Sequence, residues 1–280
     1  MLLEYDAKTR SLPSAIAYVS EAFSVHHLER IPGGPQAAYR VASAGPLTSL
    51  PFLDELSRVV HSFLTPGQVL DLIGEVARRL ADAYDGFREC EARRTADRGD
   101  GPRKKRKKER DAPAPAPSAG DGRAGAEHLA VSFALVARTM VVVLRALPLQ
   151  SLADESRAEA ERRVREVHAA VAARVLADVF GGAGRREEWA WQVVGAGALR
   201  LHYGLSCARG LPPQPPLDRD LLTAILGCVG EEDTSPELVV EIVSVLLRIV
   251  SCGPIGADGT LATDIATSMQ YFCFRSRRYA

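Results

Sequence analysis

Two histidines one helical turn apart, with a carboxylate nearby, can hold a catalytic metal ion. The chain's six histidines do not form that pattern. His26 and His27 are adjacent, so on a helix they point about 100° apart and cannot share an ion. His61, His128, His168 and His202 stand isolated from one another, and none neighbours a Ser or Cys in a recognisable nucleophile elbow. The stretch VVGAGALRLHYG, residues 193–204, opens like a dinucleotide fingerprint with Gly195 and Gly197. It lacks the third glycine, and EEWAWQ leads into it as helix rather than strand, so its small residues read as a close helix–helix approach. Glu187-Glu188 and Glu231-Glu232-Asp233 fall at helix starts or in loops, where solvated caps explain them. Cys90, Cys207, Cys228, Cys252 and Cys273 form no CxxC or Cys/His cluster and read as buried thiols in a reducing compartment. These residues predict no enzyme, no cofactor and no metal site.

The chemistry that remains is recognition. Arg103, Lys104, Lys105, Arg106, Lys107 and Lys108 form an unbroken basic run inside GPRKKRKKERDAPAPAPSAGDG, residues 101–122. The chain has 30 Arg but only five Lys, and four of the five lie in this run, a concentration that a bias toward Arg would not produce. The flanking Gly, Ala and Pro predict a disordered segment. An extended basic six-mer fits the acidic groove of a nuclear import receptor. Nonspecific RNA contact and a merely solvated loop are the alternatives. Residues 95–126 hold nine basic against five acidic residues, which leaves 26 basic against 30 acidic in the rest. A neutral-to-acidic body does not favour broad nucleic-acid binding by the folded part.

Trp189 and Trp191 lie two positions apart, about 200° around a helix. The spacing predicts that one is core while the other is available as a partner contact. Core packing of both, in a helix covered on two sides, is the competing reading.

These groups must be positioned by helices. Apolar periodicity predicts helices over 14–30, 50–64, 65–87, 127–147, 153–180, 186–207, 218–229, 236–251 and 261–274. Thr65-Pro66 and Ser235-Pro236-Glu237 supply caps and first-turn residues, while IPGGP at 31–35 and FGGAG at 180–184 end helices. No stretch alternates as a strand would, so the fold class is all-α. Long helices joined by short turns predict an irregular α-solenoid of stacked antiparallel helices, with a globular bundle as the alternative. The expected organisation is an N-terminal helical segment, 1–94, a disordered linker, 95–126, and a C-terminal helical segment, 127–280, packed with the first. The N-terminus has no uninterrupted apolar core of the secretory kind. LAVSFALVARTMVVVLRAL, 129–147, is long enough to span a bilayer but carries Arg138 and Arg145. Each would cost roughly 2.5–3.5 kcal/mol near a membrane centre. A buried helix with one Arg-bearing edge is expected, and no membrane contact.

FALVARTMVVVLRALPLQSL (133–152), ALRLHYGLSCARGLP (198–212) and SPELVVEIVSVLLRIV (235–250), with a lysine-rich signal in an inserted loop, resemble fungal members of the "unhealthy ribosome biogenesis" group. The resemblance covers 127–280 best and the first ninety residues less well. It implies a large nucleolar α-solenoid protein of pre-ribosomal RNA processing. Such a protein is a non-enzymatic scaffold in early large-subunit particles, bound mainly to protein assembly factors. RNA within the pre-ribosomal particle is a further partner, and the location is the nucleus and nucleolus. Another nuclear helical adaptor, or an RNA binder using the basic loop, are the rival readings.

Overall fold

The computed structural model describes residues 23–44, 64–99, 119–146, 149–181, 188–206 and 217–252, with single positions at 21, 51 and 270. Among these residues there are helices, turns and no strand. In chain order the helices are α1 (Val25–Leu28), α2 (Gly34–Ser43), α3 (Pro66–Gly99), α4 (Ala119–Ala146), α5 (Asp154–Val167), α6 (Arg174–Phe180), α7 (Trp189–Ser206), α8 (Arg219–Gly227) and α9 (Pro236–Cys252). A π-helical turn, His168–Ala173, joins α5 to α6 without a break. Of the expected helices at 50–64 and 261–274, positions 51, 64 and 270 are described, and the rest lie outside the described residues.

The local signals work as elementary chemistry requires. Thr65 and Gln68 form a reciprocal cap at the start of α3: the Thr65 backbone N–H donates to Gln68 Oε1 at 2.9 Å, and the Gln68 N–H donates to Thr65 Oγ1 at 3.4 Å. Ser235 Oγ accepts from the Leu238 N–H at 3.3 Å to cap α9, whose first turn carries Pro236 and Glu237. Gly33 and Gly34 have φ of 100° and 79°, a left-handed path open to glycine. They do not simply end a helix; they swing the chain into α2. That helix is short, and its inner face is Ala38 with the partly buried Tyr39 and Ala42.

Three boundaries differ from expectation. Where a helix over 14–30 is expected, the described part is the single turn α1, preceded by a turn and a bend at 23 and 24, with Ser24 extended. Helix α3 runs past 87 to Gly99, and α4 begins at Ala119, so the linker boundaries at 95 and 126 fall inside helices. The continuation of α3 is held by pairs three and four residues apart, Arg93–Glu89 and Arg94–Glu91, and by Thr95 Oγ1 bonding back to the Glu91 carbonyl. Arg123–Glu127 at 2.8 Å does the same near the start of α4. Residues 100–118, with the basic run, lie outside the described residues.

Side-chain contacts fix how the helices run. Gly125 of α4 faces Cys90 and Gly86 of α3 faces Leu129, so α3 and α4 are antiparallel. Arg163 of α5 reaches the Leu70 carbonyl, Arg174 pairs with Asp85, and Asp178 accepts from Tyr84; α3 is therefore parallel to the α5–α6 rod. Gly195 of α7 packs on Val179 and Phe180, and His202 meets His168, which makes that rod antiparallel to α7. Gly197 faces Ala134 and Gly204 faces Val141, the same seven-residue step on both helices, so α4 and α7 run parallel. Gln192 bonds the backbone of Asp233 and Ser235, and Arg200 pairs with Glu241; α9 is thus parallel to α7. One row holds α3 and the α5–α6 rod, with α8 packed on α6; the other holds α4, α7 and α9, with α2 packed on α4.

Helix α4 is the centre of a single core. Ala130, Val131, Phe133–Ala137 and Met140–Leu144 are all buried, as expected for a helix apolar all round. The span Arg123–Arg145 is long and apolar enough to cross a bilayer, its most apolar 18-residue window having a mean hydropathy of 1.7, yet 83% of that window is buried inside the protein. The glycines explain the close approach. A Cβ on Gly197 would lie 2.9 Å from Ala134 Cα. Overpacking of about 1–3 kcal/mol against backbone opposes the about 1 kcal/mol by which Ala favours a helix over Gly. Gly197→Ala is therefore expected to lower the urea midpoint, while Gly67→Ala, which meets nothing within 4 Å, keeps it or raises it. Equal midpoints would refute the close-packing role of Gly197.

Candidate functional site

The two tryptophans separate cleanly. Trp191 is 2% exposed. Its ring meets Phe87 edge-on at 4.8 Å between centroids, and its indole N–H donates to Glu91 Oε2 at 3.2 Å. Glu91 is itself buried and paired with Arg94 at 2.8 Å, and Arg94 also pairs with Glu188 ahead of α7. Trp191 thus ties the start of α7 to the end of α3, and it is not a partner contact: the indole is enclosed. Trp189 is half-buried on the edge of the core and retains a face toward solvent.

Two of the histidines are not isolated. His168 Nε2 and His202 Nδ1 lie 2.5 Å apart, buried, with ring centroids 4.7 Å apart and Tyr203 edge-on to His202 at 5.0 Å. The π turn brings this about. Its extra residue per turn rotates the helix so that His168, Val171 and Ala172 all face inward. Thirty-four residues separate the pair, and no local spacing announces it. Burial, then the neighbouring His168, pushes the His202 pKa down to about 4; burial lowers that of His168. At neutral pH both rings are uncharged, and one ring N–H donates to the other ring's bare nitrogen. Among the described residues no three His, Cys, Asp or Glu converge as metal ligands. Cys228 is buried and donates to the Ala224 carbonyl at 3.3 Å.

The third constellation sits on the row of α4, α7 and α9. Tyr39, Arg138, Arg200 and Glu241 surround a notch floored by Ala134, Ala196 and Gly197. Arg200 Nε donates to Glu241 Oε1 at 2.7 Å. Arg138 donates to the Ser43 carbonyl at 3.3 Å and has no carboxylate partner among the described residues. Burial, and then the Arg200 charge, pulls the Arg138 pKa below its ordinary value. Burial, then Glu241, raises that of Tyr39, which keeps its hydroxyl proton. Arg138 is the Arg-bearing edge expected of α4. Its neighbours come from helices remote in sequence, so only the charge in an apolar run hinted at the site.

On the opposite row a shallow groove of about 320 Å³ runs between α3 and the α5–π rod over Gly74, Ala77, Ala81 and Val171. Its rim charges Arg162 and Arg163 are paired with Glu159 and Glu166. Arg103, Lys104, Lys105, Arg106, Lys107 and Lys108 belong to the connection between α3 and α4, outside the described residues. In comparison with known proteins, no family model, no curated protein and no solved structure matches this chain.

Proposed function

We propose that the chain is a nuclear, nucleolar protein-binding scaffold of ribosome biogenesis, acting in large-subunit assembly and pre-ribosomal RNA processing without catalysing a reaction. The observation that carries this reading is the register of the helices. Rows of parallel helices, paired antiparallel with one another, are how successive turns of an irregular α-solenoid pack. We read α3–α4 and α5–α6–α7 as two such turns, with α9 continuing the second row beside α7. The row of parallel helices brings side chains from several elements, Arg138, Arg200 and Glu241, around one notch that a partner can reach. The basic run at 103–108 serves as the address read by a nuclear import receptor, and the resemblance of 127–280 to nucleolar solenoids supplies the process.

Replacing Lys104, Lys105, Lys107 and Lys108 by Ala is expected to move a fluorescent fusion from nucleus to cytoplasm with helicity unchanged by circular dichroism. Deleting 100–118 and supplying a foreign nuclear signal should preserve co-sedimentation with large pre-ribosomal complexes at moderate salt. A contact made by the basic run alone would weaken steeply there. Release of the loop-deleted chain, with its helices intact, would replace the scaffold by an RNA-binding protein that uses the loop as its arm.

A further inference from the structure

We propose that the notch on the α4–α7–α9 row is a receptor for one carboxylate, the Asp or Glu side chain of a protein partner. This rests on the scaffold reading above. Arg138 is the charged residue in a stretch of α4 that is otherwise buried and apolar. Holding a guanidinium there costs free energy that no ion pair offsets among the described residues. Its one protein hydrogen bond is to the Ser43 carbonyl, at 3.3 Å. The nearest acid, Glu241, is engaged by Arg200 through two of its nitrogens. A guanidinium has five N–H donors in a fixed fork suited to a planar carboxylate, and Arg138, which lines the notch, spends one of them on Ser43.

Size and charge select the occupant. The enclosed part of the notch is about 10 Å³, room for roughly one water, and a carboxylate can place one oxygen there. Gly197, Ala196 and Ala134 keep the floor low enough for that oxygen to reach between Arg138 and Arg200. The Tyr39 hydroxyl, held protonated, is a further donor. Glu241 lines the notch and Glu237 lies close enough to act on Tyr39. Their charges oppose a doubly charged phosphate more than a singly charged carboxylate. An RNA phosphodiester is singly charged like a carboxylate, but it is tetrahedral and flanked by a ribose on each side. A notch with room for about one water therefore favours a carboxylate at the end of an acidic side chain. A half-buried Arg beside a Tyr is also the composition of an interface anchor.

The test uses the full chain and acetate as the probe, titrated at constant ionic strength with chloride as the replaced ion. The side-chain Nε–H resonances of Arg138 and Arg200 are followed by NMR. Both should shift saturably with acetate, and Arg138→Met should weaken the Arg200 response about tenfold or more, the loss of a charge-assisted hydrogen bond. Arg138→Met should leave the Tm of the free chain unchanged or raised, because the guanidinium has no internal ion pair to lose. No saturable shift, a tighter response to inorganic phosphate than to acetate, or a marked fall in Tm would each overturn the proposal. Co-sedimentation with pre-ribosomal complexes separates this idea from its premise. If the loop-deleted chain still co-sediments but acetate does not bind, the scaffold stands and the carboxylate receptor falls. If acetate binds but the loop-deleted chain is released, the notch stands and the scaffold falls.

Discussion

Trp191→Ala is expected to cost about 3–5 kcal/mol of stability, the range for removing a fully buried large aromatic. The indole contacts Phe87 across the α3–α7 interface, so truncation opens a cavity where two helices of the core meet. The loss is not only packing. Glu91 Oε2 accepts from the indole, while Glu91 Oε1 is buried without a partner among the described residues. Without the indole, the buried carboxylate depends more heavily on Arg94. Trp191→Phe keeps most of the packing and loses the indole hydrogen bond, so an intermediate cost of about 1–3 kcal/mol is expected. Trp189→Ala, at the edge of the core, should cost less than either and instead weaken incorporation into pre-ribosomal complexes. Urea denaturation of the three variants decides the matter. An equal loss of stability in Trp189→Ala and Trp191→Ala would reject the division of roles.

Acid should weaken the fold from about pH 6.5 downward. The unfolded chain protonates His202 near its ordinary pKa of 6.5, whereas the folded chain resists until about pH 4. Between those values the unfolded state binds more protons, so stability falls as pH falls. The full contribution is present above pH 6.5 and is lost progressively toward pH 4. The gap corresponds to about 3 kcal/mol. His168, also lowered by burial, adds in the same direction. Protonating both rings would place two charges across a 2.5 Å N···N contact, which breaks the bond between the π turn and α7. His202→Phe is expected to flatten the stability profile between pH 6.5 and 4. The lower-lying carboxylates, such as Glu159 at about 2, act below that window. A profile for His202→Phe parallel to that of the unaltered chain would show that the pair is not the source of the slope.

The features that sequence alone determined are those set within one or two helical turns. The cap of Thr65 on the Gln68 N–H, the Ser235-Pro236-Glu237 start of α9, the buried stripe Val164, Val167, Val171, Val175 and Val179, and the Arg-bearing edge of α4 are all set by local sequence. Periodicity of that range makes the chain all-helical and places most of its helices. Periodicity is silent where a helix is held by something else. Helix α2 is ten residues long with a small inner face of Ala38, Tyr39 and Ala42 directly behind two left-handed glycines, and the end of α3 relies on Glu–Arg pairs, so apolar spacing reports neither. Tertiary structure alone decided which tryptophan is enclosed, that His168 and His202 share a hydrogen bond, and that Arg138 meets Arg200 and Tyr39. Those contacts join residues from 34 to about 100 positions apart. They depend on the axial register of one helix against another. That register is chosen by where Gly195, Gly197 and Gly204 let helices touch, and by the π turn that rotates His168 inward. A one-residue change in either would leave every local pattern intact and dissolve the site.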